Sequence, residues 1–149
     1  MLESLYVWLA TGSVGWALFV TGFISSTLFP GGTEGLLVAA LSVATETSRV
    51  VTLVLMASLG NTLGAITTLG LGWLLPVRAM KPQAERWIKR WGAPILLLSW
   101  LPVVGDALPL AAGWLRLPVG KCFFYLALGK TLRFVALALV VQTSKVFFS

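Results

Sequence analysis

Charged residues divide this chain into long apolar blocks. Positions 5–44 carry one charge, Glu34; positions 50–77 carry none; positions 93–115 carry only Asp106; positions 122–144 carry Lys130 and Arg133. The 28 uncharged residues of 50–77 exceed the ~20 needed to cross a bilayer core, so this block predicts a transmembrane helix. Block 122–144 is long enough to cross as well. The other two blocks are interrupted. Block 28–44 breaks at Phe29-Pro30-Gly31-Gly32-Thr33, and block 93–115 contains Pro102, Gly105 and Pro109. A proline inside a helix costs ~3 kcal/mol. Irregular backbone survives at membrane depth only where protein shields it or where it lines a wet cavity. Each broken block therefore reads as two half-helices forming a re-entrant hairpin.

The two halves of the chain also match each other. Leu28-Phe29-Pro30 through Glu34 to Ala39-Ala40 aligns without a gap with Trp100-Leu101-Pro102 through Asp106 to Ala111-Ala112. Further on, Leu59-Gly60-Asn61-Thr62-Leu63 aligns with Leu128-Gly129-Lys130-Thr131-Leu132 after a three-residue shift. The expected architecture is an all-α integral membrane protein of one domain with two repeats. Each repeat is a re-entrant hairpin followed by a transmembrane helix. The repeats cover about 14–77 and 92–146, joined by a basic interfacial linker at 78–91.

That linker, RAMKPQAERWIKR over 78–90, holds five basic residues and one acid. Trp87 and Trp91 are four apart and share a helix face, a pattern suited to a helix lying in the membrane interface. Arg78, Lys81, Arg86, Lys89 and Arg90 lie on one side of the membrane. Arg116 and Lys121 join them if the second hairpin returns to its own side. Arg49 and Lys145 are left opposite, so the larger set is expected in the cytoplasm. The two hairpins then enter from opposite leaflets, which makes the repeat inverted, a plan common in secondary transporters. Trp8, Trp16, Trp73 and Trp114 read as interface anchors or packing.

Composition supports the membrane reading and narrows the chemistry. Hydrophobic residues make up 58% of the 149 residues and charged residues 11%, against about 25% charged in soluble domains. Mean hydropathy is +0.92. With no His and one cysteine, Cys122, imidazole catalysis, a His metal site and an intrachain disulfide are excluded. No cofactor or metal is expected. The net charge of +6 sits beside apolar runs, which favours anionic lipid over nucleic acid. The first ten residues, MLESLYVWLA, lack the basic flank of a signal peptide, so block 5–29 is expected to be retained. Whether 2–19 crosses the membrane or lies in its interface stays open. Gly60 and Gly64 form a small-xxx-small face, consistent with close helix packing and with a homodimer.

The charges inside the apolar blocks are the candidate site. Lys130 lies nine residues past Lys121, ~13.5 Å deeper, near the midplane of a ~30 Å core. Arg133 follows one turn later, Asn61 occupies the matching repeat position, and the hairpins carry Glu34 and Asp106 toward the same depth. An ionisable group there costs ~2.5–3.5 kcal/mol or more and is a functional candidate by default. Two readings remain. Glu34 and Asp106 start helical segments and can serve as caps, with Lys130 and Arg133 as structural partners. Alternatively the four charges, with Asn61 and Arg116, bind an anionic lipid phosphate and couple it to protons: Lys gives a point charge and Arg a bidentate fork. The expected function is a non-enzymatic transporter or flippase of a phosphate-bearing lipid. A membrane scaffold or accessory subunit is the alternative. An intramembrane aspartyl hydrolase is remote, since the chain has a single Asp.

These motifs resemble the DedA family, whose membrane core is the VTT or SNARE-associated Golgi protein domain, and most of all its short YqaA-like bacterial branch. The resemblance rests on Phe29-Pro30-Gly31-Gly32-Thr33-Glu34, on Gly60 to Gly64, on Pro102 with Ala112-Gly113 and Arg116, and on Phe123-Phe124-Tyr125 with Gly129. It implies a multi-pass protein of the bacterial inner membrane with paired re-entrant hairpins, in a group associated with lipid translocation and maintenance of the proton-motive force. The chain departs from the family where Arg often flanks the second-hairpin proline: the aligned positions are Ser99 and Gly105. Lys130 and Arg133 are candidates to supply that charge.

Overall fold

A computed structural model describes residues 3–4, 7–8, 11, 13–27, 32–74, 82–101 and 104–148. Pro30, Gly31, Pro102, Arg78 and Lys81 lie outside the described residues, as does most of 1–12. The described elements are α1 (Ser13–Thr27), α2 (Gly32–Val43), α3 (Thr47–Leu74), α4 (Pro82–Trp91), a 3-10 helix (Ala93–Trp100), α5 (Val104–Trp114) and α6 (Val119–Phe148). No strand occurs among them.

Length separates these helices into two kinds. At 1.5 Å per residue, the 28 residues of α3 and the 30 of α6 reach ~42 and ~45 Å, enough to cross a ~30 Å hydrocarbon core. The 15 residues of α1 and 12 of α2 reach only ~22 and ~18 Å, and the 11 of α5 reach ~16 Å. The eight residues of the 3-10 helix also reach ~16 Å, because 3-10 winding rises ~2.0 Å per residue. An α-helix of eight residues would stop near ~12 Å. The element order is thus two short arms and a long helix, twice over.

The long helices tie the halves together. Helix α3 packs along α1 and against α5, while α6 packs along the 3-10 arm and against α2. Each long helix therefore holds the first arm of its own half and the second arm of the other.

Glycines set how closely these elements meet. A Cβ on Gly60 would lie 2.0 Å from the Phe19 carbonyl oxygen, and one on Gly64 2.5 Å from that of Phe23. The Gly60–Gly64 face is thus packed against α1 of the same chain. On α6, a Cβ on Gly129 would lie 2.6 Å from Ser99 Oγ and 2.8 Å from the Leu97 carbonyl oxygen.

The structure corrects two details of the hairpins. Pro109 does not break the second block; it sits inside α5, fully buried. The amide that proline lacks would have bonded the Gly105 carbonyl, so a single bond is lost near the start of the helix. Gly105 and Gly32 likewise lie in helical first turns, not in irregular backbone. Gly105 marks the tight passage between the arms of the second hairpin: a Cβ there would lie 2.4 Å from the Ser99 carbonyl oxygen.

Candidate functional site

The interior has three layers. One apolar cluster joins Val14, Leu18, Leu37, Leu41, Leu53, Ala57 and Phe134. A second joins Ala65, Leu69, Ile88, Leu96, Ala112 and Leu126. Along both long helices the turns between these clusters are polar. Helix α3 places buried Ser58, Asn61 and Thr62 between Ala57 and Ala65, and α6 places Lys130 and Arg133 around Gly129–Phe134. A polar belt therefore separates two hydrophobic cores.

Lys130 and Arg133 are three apart on α6 and share a face. Lys130 Nζ donates to Asp106 Oδ1, and Arg133 Nη2 donates to Glu34 Oε1. Glu34 is the third residue of α2 and Asp106 the third of α5, so each acid sits in the first turn of the second arm of its hairpin. The backbone amides there are free of intrahelical partners and favour a carboxylate. One helix thus holds both hairpins through two ion pairs a single turn apart.

The pairs differ in access to solvent. The Lys130 side chain is fully buried (0%) against 16% exposure for Asp106; Arg133 and Glu34 are 12% and 21% exposed. The second carboxylate oxygen of Glu34, Oε2, is buried without a hydrogen-bond partner among the described residues. So are Thr33 Oγ1, Ser58 Oγ, Asn61 Oδ1 and Ser99 Oγ. Buried polar atoms are normally satisfied by protein or water, so this belt has spare bonding capacity for water or a polar ligand.

Asn61 and Arg116 stand apart from the ion pairs in different ways. Asn61 Nδ2 donates to the Gly22 carbonyl at 3.2 Å across the α1–α3 seam. Arg116 is exposed in the turn after α5, in the left-handed region at φ 52°. It is ten residues beyond Asp106, at the opposite end of that helix. Ser26 was not singled out from the sequence, yet its hydroxyl lies 3.5 Å from Lys130 Nζ, and Thr68 Oγ1 donates to its carbonyl at 3.0 Å. The Ser25-Ser26 pair just ahead of the first break was the available signal. Away from the belt, Lys145 Nζ donates to the carbonyls of Leu41 and Ala44 at 2.5 and 2.8 Å, closing the end of α2. Among the described residues no group of His, Cys, Asp and Glu could hold a metal ion.

The chain is similar to the inner membrane protein YqaA of Escherichia coli strain K12, with 48% identity over 125 residues, 82% of this chain and 87% of that protein. It is 48% identical over the same length to YqaA of Shigella flexneri. An uncharacterized protein of Haemophilus influenzae is 40% identical over 130 residues, 80% of this chain and 82% of that protein. No protein-family model and no solved structure matches it. The relatives and the two long apolar helices agree on a membrane protein of the inner membrane.

Proposed function

Starting from the fact that this chain belongs to the YqaA family of inner membrane proteins, we propose that it moves a phosphate-bearing anionic lipid across the membrane with proton coupling. The observation that carries this reading is the pair of ion pairs on α6, Lys130 with Asp106 and Arg133 with Glu34, in a polar belt between two apolar cores. With both acids ionised the four charges sum to zero, and protonating either acid leaves a net positive site. Lys130 then offers a point charge and Arg133 a planar fork to phosphate oxygens. The N-terminal ends of α2 and α5 add partial positive charge from their helix dipoles.

In this reading the four short arms are re-entrant, since none reaches ~30 Å, and the halves form an inverted repeat in the manner of the DedA family. Segment 78–91 lies at the cytoplasmic face. Rocking of one hairpin against α6 exchanges an ion pair for substrate, and Glu34 Oε2, without a partner among the described residues, is the point where a proton enters.

The test is a reconstituted flipping assay with fluorescent anionic lipid at varied pH. Wild type is expected to flip with a pH dependence that Glu34→Gln abolishes, while Asp106→Asn and Arg133→Ala stop transport yet still insert. Wild-type transport by all three variants would refute the proposal. A scaffold reading is favoured by one observation, the placement of both acids in helical first turns, and it predicts that neutral swaps leave function intact.

A further inference from the structure

Helix α4 is the one described helix with strongly segregated faces. Ile88 is buried in the second apolar cluster, while Trp87 and Trp91 are exposed four residues apart. Between this aromatic face and the 3-10 arm lies an open groove of about 680 Å³. Ile95 and Leu98 line its apolar wall, and Arg90 is the charged residue at its rim. The volume falls within the ~300–1,000 Å³ of small-molecule sites. The helix carries Arg86, Lys89 and Arg90 against Glu85. Glu85 is already paired with Lys89 at 2.5 Å, which leaves Arg86 and Arg90 as uncompensated cations on this helix.

We propose that this groove binds one acyl chain of an anionic glycerophospholipid, whose phosphate is held by Arg90 with Arg86 one turn before it. The apolar wall and the two indole rings suit the chain, and the surplus positive charge selects the headgroup. None of Glu34, Asp106, Lys130 or Arg133 lines the groove, so this site is separate from the central belt and stands whether or not the protein transports lipid.

The experiment places the whole protein in phosphatidylcholine vesicles that contain a minor fraction of lipid with dibrominated acyl chains. That fraction is either phosphatidylglycerol or phosphatidylcholine. Quenching of Trp91 is read as the difference between wild type and Trp91→Phe. Brominated phosphatidylglycerol is expected to quench more strongly, and Arg90→Gln to lower that preference about fivefold, the effect of one cation near a charged headgroup. Raising the salt concentration lowers the preference in the wild type itself, a check that needs no variant. Leu98→Phe, which narrows the groove without adding an indole, reduces quenching of Trp91 by both lipids. Equal quenching by the two lipids, or a preference unchanged both in Arg90→Gln and at high salt, overturns the proposal. So does a Trp91 that neither lipid reaches in a dimeric protein, which would assign the groove to a second copy.

Discussion

The two long helices use the same seam for different ends. Gly60 in α3 and Gly129 in α6 each admit the first arm of their own hairpin at backbone contact distance. The next residue, turned into the interior, is Asn61 in one and Lys130 in the other. Asn61 meets a backbone carbonyl, which a neutral amide can satisfy. Lys130 meets a carboxylate, and Arg133 adds a second such pair one turn on. Packing is common to both long helices, whereas the buried cations are confined to α6. The difference lies in the chemistry at the seam, a neutral amide on α3 and two ion pairs on α6.

The glycine seam at Gly60 is expected to give the largest effect. Gly60→Leu forces a side chain against the Phe19 backbone, where a Cβ alone would come within 2.0 Å, and should abolish the folded protein, read as loss of monodisperse material in detergent. Lys130→Met alone leaves the Asp106 carboxylate mostly buried and unpaired, at a cost of about 3–5 kcal/mol in thermal unfolding. Adding Asp106→Asn should restore most of that stability. Gly129→Ala presses on the Ser99 hydroxyl, which can turn aside, and on the Leu97 carbonyl at 2.8 Å, which yields only by a small backbone shift, so a loss of about 1–3 kcal/mol is expected in the same measurement. Asn61→Ala is the mildest change. It removes one bond to Gly22 and also an unsatisfied oxygen, so about 1 kcal/mol is expected, separating α3 from α6 in the same measurement.

Much of this was readable in the sequence because charges inside apolar runs are costly and therefore informative. Glu34, Asp106, Lys130 and Arg133 stand out for that reason, and the three-residue spacing of Lys130 and Arg133 puts both cations on one helix face. Pairing was beyond reach: spacing does not reveal that Arg133 meets Glu34 while Lys130 meets Asp106. Gly60–Gly64 announced a close contact, but not that its partner was α1 within the same chain. The 3-10 winding of Ala93–Trp100 left no trace, since a nearly continuous apolar run has no period to betray its pitch. Pro109 misled because a proline early in a helix forfeits only one bond. Ser26 is hinted at only by the Ser25-Ser26 pair, and a hydroxyl in an apolar run does not reveal which helix it faces.

The central claim is that the charges on α6 act on a substrate and do more than fasten two hairpins. The most direct measurement compares lipid flipping by wild type with that of the Lys130→Met, Asp106→Asn double variant, which keeps a neutral, folded interior. The account predicts a stable protein whose flipping is at least about tenfold slower, equivalent to ~1.4 kcal/mol of lost transition-state stabilisation. A double variant that flips anionic lipid at the wild-type rate would contradict it and leave the charges a purely structural role.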